Sequence, residues 1–308
     1  MGSGTIATGN FPRLLQEGLN KVFGNKYNEH ETEWDKIFDR NESRKNFEVD
    51  AQLEGFGLAP EKPEGDEIAF DSISQGFTPK YKHLTYGKGF IVTKENLADN
   101  LYHLFEKRAR ALSFSMQQTK ENVGANVYNR GFNSAFLMPG GDGVELFSTA
   151  HINGPSDNTT FSNKLATPAA LSEASLEDLL IQINEATDPR GLRIALQGER
   201  LCVPSKLSFE AERILKSALQ NDTANNAVNA IRSTGMLPGG HSVNNYLTSA
   251  SAWFIKTNAP DGMKYFTRQE VDFDQDKDFG TSSMRFKADE RYSFGWSDPR
   301  GAYGSAGV

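Results

Sequence analysis

Apolar and polar positions alternate cleanly over residues 46–54. Phe47, Val49, Ala51 and Leu53 share one side, and Glu48, Asp50, Gln52 and Glu54 share the other. A period of two predicts a strand with one face buried. A second extended run, residues 80–92, carries Tyr81, His83 and Thr85 and then Phe90, Ile91 and Val92. Residues 55–79 between them hold three prolines and four glycines among many charges, too few apolar residues for a core of their own. Loops beyond about 12–15 residues are uncommon and often functional. Two strands with a long polar tip predict a projecting β-hairpin. Such a hairpin is marginal in water, so its support is expected from outside the chain.

Helical spacing marks three other stretches. Leu14, Leu15, Leu19, Val22 and Phe23 form an apolar stripe that Gly18 and Gly24 should weaken or end. With a second short amphipathic piece at residues 34–38, this predicts an arm that needs another surface to pack on. The longest helix follows Thr93, a cap candidate with Glu95 in its first turn. Leu97, Leu101, Leu104, Phe105, Leu112, Met116, Val123 and Val127 recur at three- and four-residue steps, and no proline intervenes before Pro139. That predicts one helix of roughly 30 residues, against an average of about 11–12. Arg108 and Thr119 break the seam a coiled coil would need.

Beyond Pro139 the elements shorten. Residues 139–143 read as a turn, and a polar loop runs to Pro168. Ser175 and Asp178 have capping-box-like spacing before Leu179, Leu180 and Ile183. Residues 188–191, Asp-Pro-Arg-Gly, suit a type I turn. Strands are expected at 193–196 and 200–203, a helix at 209–219, a long Asn/Gly-rich loop at 221–246 and a strand at 252–255. The last third alternates, with Met284, Phe286, Ala288, Tyr292, Phe294 and Trp296 on one face and Arg285, Lys287, Asp289 and Arg291 on the other. The order is α+β, without the βαβ rhythm of a doubly wound sheet.

Composition narrows the function classes. The chain has 308 residues and a net charge of −7, with basic residues scattered among acids. A tight nucleic-acid binder shows a basic stripe instead. No apolar run approaches the roughly 20 residues of a membrane span, and the first residues lack a secretory signal pattern. The protein is expected to stay in the cell that makes it. Cys202, the one cysteine, sits in an apolar run and reads as a small buried hydrophobe.

Catalytic and metal motifs are weak. His30, His83, His103, His151 and His241 do not pair at ligand spacing. Ser148, His151 and Asp157 contain triad residue types but arise readily in any polar loop. Gly140, Gly141 and Gly143, and Gly239 and Gly240, are not framed as strand–loop–helix and read as turns. No catalytic residue, cofactor or metal site is expected. In residues 270–278, Glu270, Asp272, Asp274, Asp276 and Asp278 recur at every second position. The run fails the glycine and closing glutamate of a calcium loop. It reads as a solvated strand face or turn, as a contact with basic residues of a neighbour, or as a loose calcium site shared between subunits.

The layout and local sequence resemble the tailed-bacteriophage major capsid proteins of the Hong Kong 97-type fold. Residues 86–95 (YGKGFIVTKE) lead into the long helix. Residues 109–122 (ARALSFSMQQTKEN) and 129–132 (NRGF) are similar to that family's spine helix and its exit, and residues 142–151 (DGVELFSTAH) to the segment that follows. Residues 201–204 and 298–301 fit as well. The resemblance covers nearly the whole chain and rests on the order of the segments. It implies an N-terminal arm (1–45), an extended loop (46–92), a peripheral domain with the spine helix (93–169), an axial domain (170–265) and C-terminal strands returning to the peripheral domain (266–308). It also implies self-assembly into hexamers and pentamers of an icosahedral head, with separate scaffold and portal proteins and decoration proteins. Double-stranded DNA would be enclosed without specific binding, and no membrane is involved. The chain would be made in the host cytoplasm and reside in the virion. Glu61, Lys62, Glu64, Asp66, Phe70, Asn225, Asn226, Asp272, Asp274 and Asp276 are the candidate inter-subunit contacts. Some relatives cross-link a lysine to an asparagine. Lys62, Lys80, Lys82 and Lys88 are available here, but no partner asparagine is evident and a shell without covalent links is expected. The alternatives are an encapsulin-like nanocompartment shell and a soluble hydrolase using His151.

Overall fold

The computed structural model describes residues 12–93, 95–96, 102–155, 157–219 and 227–308. The chain forms two compact units, one from residues 1–32, 83–123 and 267–293, the other from 33–82, 124–266 and 294–308.

In the first unit, helix α1 (Pro12–Glu29) runs through both Gly18 and Gly24. Packing outweighs the glycine penalty: Leu19 and Phe23 are buried with Phe105, Ala109, Leu112 and Met116 of the long helix. The surface this arm helix needs is therefore supplied by its own chain. Strand β1 (Asp39–Glu42) belongs to the second unit, as do β2 (Phe47–Val49) and β3 (Lys80–Lys82). Strand β4 (Leu84–Val92) returns the chain to the first unit, followed by helix α2 (Tyr102–Asn129), the long helix expected from the periodicity, whose expected positions Leu97 and Leu101 lie outside the described residues. Val92, Phe273, Phe286 and Ala288 close this core against α2.

The second unit continues with β5 (His151–Gly154), β6 (Asp157–Phe161) and α3 (Glu173–Asn184). Then come β7 (Gly198–Val203), α4 (Ser208–Lys216), α5 (Ala230–Thr234), β8 (His241–Val243) and β9 (Trp253–Thr257). Strands β10 (Met263–Lys277) and β11 (Met284–Trp296) contribute to both units, and β12 (Ala302–Ser305) ends the series. Two four-stranded sheets result, ordered β1-β10-β11-β4 and β12-β9-β7-β8. Only β7 and β8 are recorded as a parallel pair among the described strands. The second core gathers Leu176, Leu179, Leu180 and Ile183 of α3 against Leu201, Trp253, Ile255 and Tyr303.

Four local expectations are corrected. The stretch expected as a polar loop up to Pro168 contains the paired strands β5 and β6, and the loop expected over 221–246 contains α5 and β8. The capping box on α3 is formed by Ser172 and Ser175 rather than Ser175 and Asp178, because Ser172 is the last extended residue and its side chain accepts from the Ser175 amide. Residues 193–196 do not form a strand. Arg193 makes one bridge to Thr187, and Ala195 adopts φ +50°, which interrupts extension.

Every second residue of β11 from Phe286 to Tyr292 is buried, which places Glu290 among apolar neighbours. Its carboxylate is 2.6 Å from the Lys120 ammonium and accepts a 2.9 Å hydrogen bond from the Tyr27 hydroxyl. Burial raises the Glu290 pKa, and Lys120 and Tyr27 oppose that only in part. Removing one member of such a pair strands the other charge, whereas removing both is mild. Lys120→Met is expected to cost the dissociated subunit about 3–5 kcal/mol in urea unfolding, with Lys120→Met/Glu290→Met recovering most of it. The lone carboxyl of the single variant binds a proton more tightly when folded than when unfolded. Its deficit should therefore shrink as pH falls from 7 toward about 5.

Cys202 is buried, and burial pushes its thiol up to about 12. Thiol reagents should leave native protein unlabelled at pH 8 and label it fully in denaturant. Rapid native labelling would contradict the fold.

Candidate functional site

Residues 46–54 are amphipathic as expected, but the polar side faces the protein. Glu48 accepts a 2.8 Å hydrogen bond from the Ser43 hydroxyl. Asp50 meets the Lys264 ammonium at 2.5 Å and accepts from the Ser297 hydroxyl. Gln52 donates to the Ser297 carbonyl, and Glu54 accepts from the Ser74 hydroxyl. Tyr81 completes the cluster through a 2.7 Å contact with Ser297. Burial lowers the Lys264 pKa, but its bonds to Asp261 and Asp50 more than offset that and hold the ammonium above the ordinary lysine value.

The apolar side is consequently turned to solvent. Phe47 is 42% exposed, Val49 49% and Leu53 71%, and Ala51 is exposed between them. Register pairs Phe47 with Lys82 and Val49 with Lys80, and the Lys80 ammonium sits 4.2 Å from the Phe47 ring centre. Regular strand pairing stops at Val49. Farther out, Gln52 donates to Phe77 O at 2.9 Å and Glu54 to Ser74 O at 3.0 Å. At the base, Thr78 donates to Gly140 O at 3.0 Å and Lys80 to Pro139 O at 2.7 Å. Gly140 has φ +78°, and an added Cβ would lie 2.2 Å from Thr78 O, so the turn at 139–143 admits only glycine there.

Glu61, Lys62, Glu64, Asp66 and Phe70 all lie exposed on the excursion, with Phe70 95% exposed. Phe56, Leu58, Ile68 and Ile73 are exposed beside them. Asp272, Asp274 and Asp276 line the solvent face of β10, while Phe273 between them points into the core. Asp274 and Asp276 each accept from the next residue's amide, at 2.8 and 2.7 Å. Asp278 pairs with Arg285 at 2.7 Å. Asn225 and Asn226 lie outside the described residues.

Of the hydrolase candidates, Ser148 and His151 are turned to other partners, and the Asp157 side chain lies outside the described residues. His151 is fully buried, with Nδ1 2.5 Å from Asp142 and Nε2 3.1 Å from the Leu146 carbonyl. Ser148 Oγ accepts from the Ala150 amide. Both imidazole nitrogens are thus engaged away from Ser148, and the cluster braces the loop. Among the described residues no group of His, Cys, Asp and Glu is arranged to hold a metal ion. No described helix is long and apolar enough to cross a membrane.

The contacts that sequence reasoning missed are distant in the chain. Lys264 and Ser297 orient residues 46–54 from more than 200 positions away. The Asn163 side chain donates to the carbonyls of Leu146, Pro299 and Ala302 at 2.6, 3.0 and 3.1 Å, tying a loop to the final strand. No local pattern marks any of these partners.

Similarity to known proteins agrees with this architecture. The fold matches that of the virus-like particle from Pyrococcus furiosus (13% identity, TM-score 0.52, 94% of this chain and 98% of the other). It also matches Mycobacterium phage Patience (14%, 0.53, 97% and 89%) and the capsid of Myoviridae phage XM1 (9%, 0.52, 88% and 89%). No curated protein matches the chain. The architecture is the Hong Kong 97-type capsid fold. A model of the family described as phage capsid protein matches residues 77–305. This chain therefore belongs to the phage capsid proteins, structural subunits of the virion that assemble into its icosahedral shell and are not enzymes.

Proposed function

We propose that the outward row of Phe47, Val49, Ala51 and Leu53, with the excursion beyond it, is the surface by which one copy of this major capsid protein clasps the next in hexamers and pentamers. The observation that carries this reading is the inverted strand. Its acids and amide are bonded to the subunit, so among the described residues the apolar side is left half to mostly exposed. Burying a Phe, Val or Leu side chain fully is worth about 1.5–3 kcal/mol each. Three such anchors repeated around a capsomer offer several kcal/mol per contact. Glu61, Lys62, Glu64, Asp66 and Phe70 would then lie against a neighbouring copy. Asp272, Asp274 and Asp276 would face basic residues of another, and Asn225 and Asn226 would lie toward the capsomer centre. In this reading residues 1–45 are the arm, 46–92 the extended loop, 93–169 and 266–308 the peripheral domain, and 170–265 the axial domain.

The chain is made in the host cytoplasm, where a separate scaffold, a portal and decoration proteins take part in building the head. The net charge of −7 suits a container. A strongly basic wall would hold packaged DNA through phosphate contacts. The genome is enclosed without sequence-specific grip.

Leu53→Asp and Val49→Asp should leave the melting temperature of the dissociated subunit within a few degrees, since Leu53 is 71% and Val49 49% exposed. Sedimentation and electron microscopy should show loss of closed shells. Normal DNA-filled heads from both variants would overturn the reading.

A further inference from the structure

We propose that Arg190 is a positioning residue for assembly: by clamping Asp71 and Ser72 it fixes the direction in which the excursion presents its apolar side chains. This rests on the reading of the outward face given above and adds what holds its outer part in place.

Between Gly55 and Ile73 the excursion has almost no backbone pairing of its own. The bond from Asp66 N to Pro63 O, at 3.3 Å, is the one backbone bond recorded within it. A flexible loop of this length would sample many directions, and ordering it at the moment of docking would cost affinity. Asp71 removes much of that freedom. One carboxylate oxygen accepts the Gly57 amide at 2.9 Å, and the other accepts the Ser72 amide at 2.8 Å. Gly57 and Asp71 thus close residues 57–71 into a loop with a defined neck.

Arg190 fastens that neck to the body. Its Nη1 meets the Asp71 carboxylate at 2.5 Å, and Nη2 donates to the Ser72 carbonyl at 2.7 Å. The fork spans a side chain and a backbone carbonyl at once, which a lysine cannot reproduce with the same rigidity. The anchor is firm, because Asp188 accepts the amides of Arg190 at 2.9 Å and Leu192 at 2.8 Å within a closed turn. The Gly57 bond, then Arg190 and Ser72, hold the Asp71 carboxyl below the ordinary aspartate value.

The clamp hides nothing. With it closed, Phe56 is 58% exposed, Leu58 80%, Ile68 66% and Phe70 95%. A contact that masked these side chains would restrain assembly. One that leaves them exposed while narrowing the directions of the loop pre-organises it for docking.

The test uses the full chain, dissociated and then returned to assembly conditions. Arg190→Ala should speed hydrogen exchange at the Gly57 and Ser72 amides and cleavage by a glutamate-specific protease at Glu64 and Glu67, with the subunit melting temperature unchanged. If the unclamped loop keeps the docking direction about one fifth of the time, the protein concentration needed to form shells should rise about fivefold. Arg190→Lys should fall between the two. Asp71→Ala should reproduce Arg190→Ala, and it decides the matter if Arg190→Ala lowers the melting temperature. Unchanged exchange and cleavage in Asp71→Ala would show that no clamp exists. Faster exchange with an unchanged assembly threshold would show that the clamp does not serve docking. Either result overturns the proposal and leaves the outward face standing. The outward face itself falls only if Leu53→Asp and Val49→Asp build normal heads.

Discussion

The ion pair between Asp50 and Lys264, with the hydroxyl of Ser297 on the same carboxylate, decides which way the most distinctive strand of this protein faces. An amphipathic strand can lie on a body with either side down, and the hydrophobic effect favours the apolar side down. Here four successive polar side chains find partners on the subunit, and a buried carboxylate left unpaired would be expensive. The polar side wins, and the apolar row is left exposed. The arrangement stores an unsatisfied surface in a folded subunit, and a shell protein needs that if association is to supply what folding withholds.

The same logic separates the excursion from the arm. Both looked unable to bury themselves. The arm helix finds α2 and buries Leu19 and Phe23, so its apolar stripe is absorbed by the fold. The excursion is fastened through polar and backbone bonds, ending in the grip of Arg190 on Asp71 and Ser72. A segment tied down through its polar atoms keeps its apolar side chains free.

Patterns of period two and 3.6 were readable where burial follows them directly. The parity of β11 picks out Phe286, Ala288, Tyr292 and Trp296 as the buried row. The same parity selects Glu290, a charge the apolar pattern passes over, whose partners Lys120 and Tyr27 lie far along the chain. The spacing of residues 46–54 revealed two faces but not their orientation, because that is set by Lys264 and Ser297. The start of α3 was displaced by three residues for a local reason: Ser172 and Ser175 both suit a cap, and only backbone geometry distinguishes them. The exposure of the acids and of Phe70 on the excursion was legible from polarity and turn residues. The clamp was not, since nothing adjacent to Arg190 announces Asp71.

Neither compact unit is continuous in the chain: one closes with residues 267–293 and the other with 294–308. During synthesis, Phe47 through Phe70 leave the ribosome long before Lys264 and Ser297 exist to orient them. The exposed apolar row is made first and the residues that orient it last. For most of translation the apolar row has neither a subunit to point it outward nor a neighbour to cover it, the condition in which nascent chains are most prone to aggregate. Polysomes making many copies side by side would bring such rows together early. The prolines, glycines and charges that dilute residues 55–79 lower β-propensity next to that row.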